Sequence, residues 1–516
     1  GNLNVVTNGS NGSIKSTIAF PSGKWYWEVT SDTVNSGGTQ AVGIIPQSQP
    51  PTNNMSDSGK LGYALDVSFS DRKFENGTAT SYGTYTQANG AVYMLAFDQD
   101  AGKLWYGING TWLASGDPAA GTNASSSSIS TSTAYCAAVS DNTVSGTFTV
   151  NFGQRAFAYT APSGFKALCT TNLPTPTIGA TSTTQANDYF NAVTYTGNGS
   201  TQSITGVGFQ PDWVWLKSRS NATDNELTDA VRGATKSLIS NSTAVEATDT
   251  NGLTAFNSDG FSLGTDANYN GSARTYVAWN WNAGGSTVTN TSGTISAQVR
   301  ANTTSGFSIV TYTGNGSSGA TIGHGLGVAP SFYVVKNRGS ANKDWECYHI
   351  SLGNTNRIRL NVTSAADTGG TMWANTSPTS TVFSVGSDAD VNANTNTYVA
   401  YCFAPVAGYS AFGSYTGNAS TDGPFIYLGF RPEFIMTRST SALREWYIYD
   451  AARDTYNVST NFLRANTSAA EGSFTSYDMV SNGFKLRSSD TAFNGSGETY
   501  IYMAFAEFPF KFSLAR

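Results

Sequence analysis

Charge is what this chain has least of. Asp, Glu, Lys and Arg together make up 12% of 516 residues, about half the usual share of roughly 25%. A formal net charge of −6 and the lack of any Lys/Arg run leave no basic footprint for nucleic acid. Only two histidines occur, His324 within Gly323-His324-Gly325 and His349 after an apolar run. A Ser-His or Cys-His catalytic pair would have to be built on one of them. Four cysteines, Cys136, Cys169, Cys347 and Cys402, are too few for a disulfide scaffold at this length. Local bridges and buried free thiols are both open readings, the thiols being the blander one. No apolar stretch approaches the ~18 residues that cross a bilayer, so membrane insertion is not expected. Helical spacing is confined to Leu227, Val231, Ala234 and Leu238, which predict one short helix. Gly1-Asn2-Leu3-Asn4 carries no Met, basic region or apolar leader, which points to the C-terminal part of a longer or processed polypeptide.

What is present is glycine, small polar residues and aromatics, the last at 13%. Disordered chains combine low hydrophobicity with high charge and few aromatics, so this composition reads as folded and all-β under a neutral polar surface. Apolar runs of five to eight residues, rich in Val, Ile, Tyr, Phe and Trp and bounded by Gly, Asn, Ser and Asp, read as strands joined by turns.

Three ordered markers recur. Tyr195-Thr196-Gly197-Asn198 returns as Tyr312-Thr313-Gly314-Asn315 and as Tyr415-Thr416-Gly417-Asn418. A Pro-led apolar strand follows each copy, beginning at Pro211, Pro330 and Pro432. Thr275-Tyr276-Val277-Ala278, Thr397-Tyr398-Val399-Ala400 and Thr499-Tyr500-Ile501-Tyr502 close the units. The expected organisation is a β-sandwich over 1–171, a linker at 172–187, repeat one over 188–285, a linker at 286–304, repeat two over 305–407 and repeat three over 408–516. Each repeat is expected to be β-sandwich-like. The Gly/Ser/Thr/Asn spacer around 283–304 predicts that repeat one pivots, while the short join Ala404–Ser410 predicts that repeats two and three stack.

Residues 1–171 follow another plan. Gly23–Val29, Val42-Gly43-Ile44, Leu61-Gly62-Tyr63, Phe97-Asp98 with Gly102–Trp105, Asn109-Gly110 and Val150–Gln154 occur in an order and spacing that resemble a SPRY domain, a concanavalin-like β-sandwich. The resemblance implies a binding scaffold, with no contact residue transferable. The whole arrangement is similar to phage virion proteins in which a SPRY-like domain precedes Tyr-Thr-Gly-Asn repeats. It shares with them Val231-Arg232-Gly233-Ala234, the Thr-Tyr-Val-Ala strand and an ending at Ala504–Phe510. Repeat two lacks the Val-Arg-Gly-Ala phrase.

No zinc spacing, phosphate loop or dinucleotide fingerprint is found. Glu246, Asp367 and Glu471 recur after Leu238, Leu360 and Leu463, and this repetition argues for a shared structural task such as accepting backbone N–H groups. Asp266-x-Asn268-x-Asn270-Gly271 and Asp388-x-Asp390-x-Asn392 space oxygen donors as calcium loops do. The third copy keeps only Asp490 and Asn494, no distal Glu follows, and ordinary turns are the expected reading. Trp112, Trp281 and Trp373 are candidates for stacking on sugars or, more blandly, for core.

The expectation is therefore a virion structural protein of tail-fibre or adhesin type, outside the cell on the phage particle. It would bind a host-surface glycan or protein through loops and would be no enzyme, with no cofactor, no metal and no catalytic residue. The alternative is a capsid or tail decoration protein bound to other virion proteins; a polysaccharide depolymerase ranks below both. Aromatic content beyond the need of four modest cores, scarce charge and the resemblance to fibre proteins together predict a homotrimer with repeat three farthest from the particle.

Overall fold

The computed structural model describes residues 4–9, 11–20, 22–35, 37–47, 54–131, 133–169, 172, 178, 184–369 and 371–508. Among the described residues nearly all regular secondary structure is strand, and the chain divides into two compact units, Gly1–Pro174 and Thr175–Arg516.

In the first unit two antiparallel sheets face each other. One runs Asn4–Val6, Thr147–Asn151, Lys24–Thr33, Ala91–Asp98, Lys103–Ile108, Thr111–Trp112, with Lys166–Ala167 pairing in parallel on Lys24–Thr33. The other runs Gly12–Phe20, Tyr135–Asn142, Thr39–Pro46, Tyr63–Asp66, Arg72–Glu75, Thr78–Ser81. Strand alternation sends Trp25, Trp27 and Val29 between the sheets, where they meet Val42, Ile44 and Leu65. The opposite face of that strand is covered too. Tyr26 packs with Trp105 and Phe165, and Glu28 accepts the Tyr26 hydroxyl at 2.9 Å and the Ala158 and Tyr159 N–H groups at 2.8 and 2.9 Å.

The second unit contains three large sheets, one per repeat. In each, the Tyr-Thr-Gly-Asn strand pairs with the closing strand: Tyr195 opposes Tyr276, Tyr312 opposes Tyr398, and Tyr415 opposes Tyr500. The Pro-led strand lies on the other side of the closing strand in all three. One face of the first two sheets is covered by a small sheet of their own repeat, Gln202–Ile204 with Gly260–Leu263 and Leu253–Asn257, then Ala320–Gly323 with Val382–Val385. In repeat three the covering strands are continuous with the large sheet.

The other faces meet one another. Val277, Trp279 and Trp281 of repeat one, Val399, Tyr401 and Phe403 of repeat two, and Ile501, Met503 and Phe505 of repeat three share one core. Trp213 stacks on Tyr401 at 4.3 Å, Phe190 on Phe505 at 5.2 Å, and Phe403 lies 5.9 Å from Phe505. All three pairs of repeats are thus in contact. The three form a closed ring with approximate threefold symmetry inside a single chain.

Four expectations are corrected here. Leu227 and Leu238 do not lie on a helix. They face each other across the hairpin Glu226–Asp229/Lys236–Ile239, whose loop is turned by Asp229 Oδ1 accepting the Val231 and Arg232 N–H groups at 3.0 and 2.8 Å. A tight hairpin can place apolar residues at the same spacing as a helix. Residues 286–304 are not a spacer: Val288–Asn290 and Ala297–Asn302 extend the repeat-two sheet, and Arg300 pairs with Asp212 of repeat one at 2.9 Å. Repeat one consequently does not pivot, because its inner face is sealed against both neighbours. Repeats two and three are likewise not a stacked pair but two members of the ring. Of the expected linker at 172–187, residues 173–177 and 179–183 lie outside the described residues, as do 509 and 510 of the expected ending.

Candidate functional site

The recurrent motifs converge on one latch, built once in each repeat. In repeat one, Asp266 caps the short helix Ala267–Asn270 by accepting the Asn268 N–H at 2.7 Å. Asn270 is buried at the end of that helix. Its Oδ1 accepts the Asn198 N–H at 2.9 Å, while its Nδ2 donates to Asn198 Oδ1 at 3.1 Å, to Gly264 O at 2.9 Å and to Ser200 O. Asn392 grips Asn315 and Asn494 grips Asn418 through the same set of bonds. Tyr195 and Tyr276 stack at 5.1 Å, and the Tyr276 hydroxyl accepts from the Gly271 N–H at 2.7 Å. Gly197 is held to glycine because a Cβ there would overlap the Gly271 carbonyl oxygen. The oxygen-donor spacing that suggested calcium loops is therefore the capping residue and the clamp of this latch.

Glu246 and Glu471 occupy equivalent places at two seams of the ring. Glu246 accepts Nε and Nη2 of Arg338 in repeat two at 2.8 and 2.9 Å, and Nη1 of its own repeat's Arg232 at 3.2 Å. Arg232 is fully buried on Asp229, which also accepts the Tyr401 hydroxyl of repeat two at 2.8 Å. At the seam between repeats three and one, Glu471 accepts from Arg219 at 2.9 Å and from Arg453 at 3.1 Å, and Asp450 accepts from Arg453 at 2.6 Å and Trp279 Nε1 at 2.9 Å. These guanidinium groups hold the Glu246 and Glu471 carboxyls below the usual range against the opposing effect of burial. The carboxylates thus serve seams rather than backbone turns. Asp367 lies outside this pattern: it sits one place past the equivalent Ala366 and pairs with Arg357 at 2.8 Å and Arg359 at 3.0 Å in its own repeat.

The seam between repeats two and three has the same backbone contact, Ala366 N–H to Thr440 O at 2.9 Å, without the charges. His349 stands where Asp229 and Asp450 stand. Its Nδ1 accepts the Ser351 N–H at 3.1 Å, so Nε2 carries the proton and donates to Tyr502 O of repeat three at 3.2 Å. Burial lowers its pKa to about 4, opposed by that bond. His324 is bound in the same way, with Nδ1 on the Leu326 N–H and Nε2 on Thr379 O.

The four cysteines are free, Cys136, Cys347 and Cys402 being buried. Trp281 and Trp373 are fully buried and hence core; Trp112 is half-buried against Tyr26 at 6.4 Å. Two clefts were not foreshadowed by any motif. One of about 470 Å³ opens between the edges of the two N-terminal sheets, lined by Val5, Ile14, Trp27, Val139 and Phe152. A polar one of about 310 Å³, lined by Thr363, Arg444, Glu445 and Asp490, lies at the seam of repeats two and three. Strand edges and seams make clefts without leaving a sequence signature.

A family model described as a domain of unknown function, DUF7483, matches residues 185–509, well over half of the chain. The chain belongs to this family. The DUF7483 match spans all three repeats, and thus the whole ring. No curated protein matches the sequence. Solved structures similar to part of it include the SPRY domain of human HERC1, at 16% identity and a TM-score of 0.23, covering 28% of this chain and 87% of that one. A human SPRY domain is similar at 13% identity and a TM-score of 0.23, covering 30% and 94%. Among the described residues of the DUF7483 chain no helix is long and apolar enough to cross a membrane.

Proposed function

We propose that the chain is a structural protein of a phage virion, of tail-fibre or adhesin type, that binds a host-surface glycan or protein through loops. The observation that carries this reading is the closed ring: three sheets locked through a shared aromatic core form a rigid scaffold, on which loops can hold a binding geometry. The SPRY resemblance in residues 1–171 and the Tyr-Thr-Gly-Asn repeats supply the virion part of the proposal. The protein works on the extracellular particle, contacts other virion proteins and binds without cleaving. The polar cleft beside Thr363, Arg444 and Asp490 offers both donors and acceptors to sugar hydroxyls. The homotrimer stays part of this proposal: the ring takes up the aromatic surplus within one chain, and the trimer then rests on the scarce charge and the resemblance to fibre proteins. The test is competition: purified protein should block adsorption of the parent phage to its host and release no reducing sugar from host polysaccharide. Unimpeded adsorption together with antibody labelling confined to the capsid would overturn the adhesin in favour of a decoration protein.

A further inference from the structure

We propose that the polar cleft at the seam of repeats two and three binds one neutral sugar residue of a host-surface glycan. The assignment rests on the adhesin reading and narrows it to a place and a ligand class. Leu443, Arg444, Glu445, Tyr447, Asp490 and Ala492 are among the residues around this space of about 310 Å³.

The three repeats treat the same place differently. The strand registers Glu226–Ile239, Glu346–Arg359 and Tyr447–Arg464 fix the equivalence. In repeat one Asn268, on the short helix, donates its Nδ2 to Glu226 at 3.1 Å and bridges helix and sheet. In repeat two Asp390 stands there, 3.4 Å from Lys343, and Arg359 pairs with Asp344 at 3.3 Å. In repeat three the helix position is Ala492, whose side chain stops at Cβ, so the space its counterparts fill is open. Tyr447 replaces the buried Glu, and Arg464 stands where Arg359 does without an ion pair among the described residues. The Arg464 guanidinium lies over the rings of Tyr447 and Phe462 at 5.6 and 4.9 Å, and its Nε is buried with no hydrogen-bond partner. It lies close to the Tyr447 phenol, as do the Glu445 and Asp490 carboxylates. Glu445 accepts from Asn466, and Asp490 from the Ala492 N–H at 2.7 Å; neither is in an ion pair among the described residues.

Carboxylates with spare lone pairs accept from sugar hydroxyls, and a guanidinium donates to sugar oxygens. Leu443, 70% exposed at the rim, offers an apolar contact to the C–H groups of a ring. Two carboxylates without a cation partner repel an acidic sugar, which leaves a neutral one. Small-ligand sites begin at about 300 Å³. A protein partner needs about 800 Å² of surface covered around buried aromatic or Arg anchors, and this cleft is small and polar.

The probes are the neutral and acidic fractions of polysaccharide extracted from host cells, immobilised for interferometry. The wild type should bind the neutral fraction. Ala492→Asn installs the repeat-one residue, so it should melt as the wild type does and bind about tenfold or more weakly, because the pocket is filled. Leu443→Ala changes an exposed side chain and should weaken binding with melting unchanged, a readout independent of folding. Full binding by both variants, or preference for the acidic fraction, overturns the site and leaves the adhesin reading standing. Adsorption blocking that is abolished by protease treatment of the host cells also overturns it, since the partner is then a protein. A wild type that binds neither fraction and does not block adsorption overturns the adhesin reading and the site with it.

Discussion

Asn270, Asn392 and Asn494 each satisfy three or more backbone and side-chain groups while buried, and Asn is the shortest side chain that offers donors and an acceptor in one planar group. Asn270→Ala should lower stability by about 2–4 kcal/mol, since several buried groups lose partners together; a shift in the urea midpoint of the second unit measures it. The latch was half legible in sequence: Asp and Asn were visible at the right spacing, but their partner, the Tyr-Thr-Gly-Asn phrase, lies over 70 residues away. His349 gives a pH dependence with a definite sign. Its pKa is about 4 when folded, against 6.5 as the ordinary value, so the stability it contributes is complete above pH 6.5. That stability is lost as pH falls from 6.5 through 4, to a total of about 3 kcal/mol. Compared by thermal melts at pH 7 and pH 4.5, His349→Gln should lose less stability on acidification than the wild type.

At the scale of elements, the strands of the repeats were legible because aromatic and β-branched runs bounded by turn residues admit little else. The hairpin at Leu227–Leu238 and the strands at 288–302 were not. The first imitates a helical spacing, and the second is a Thr- and Asn-rich edge whose partner strand, rather than its own composition, makes it a strand. The seams were illegible for a further reason: inward faces such as Trp279 and Trp281 look like ordinary core until the neighbouring repeat is in place. The seams can be read as a natural exchange experiment. Asp229, Arg232, Glu246 and Arg338 balance at one seam; His349, Leu352, Ala366 and Thr440 replace them without charge at another. Breaking a buried pair strands its partner, whereas replacing the whole set need not. Arg232→Leu alone should therefore cost about 3–5 kcal/mol, and the quadruple variant D229H/R232L/E246A/R338T should recover most of it in the same denaturant assay.

At the scale of the molecule, two units predict two behaviours. Residues 1–174 have their own core and should melt cooperatively as an isolated fragment, as judged by circular dichroism. Residues 188–285 alone should not, because Trp213, Trp279 and Trp281 would face water; a sharp melt of that fragment would refute the shared core. Residues 175–516 should melt in one transition, not three. Because repeat three completes the ring by meeting repeat one, timing enters as well. On a ribosome adding roughly 5–20 residues per second, the roughly 220 residues between repeat one and the strand Thr499–Phe508 take about 10–45 s to appear. For that interval the part of repeat one that repeat three covers, Phe190 and Trp279 among it, is sticky and unclaimed. A premature stop inside repeat three should therefore yield insoluble aggregate rather than a shortened, functional ring, and slow synthesis late in the chain should raise the demand for chaperones.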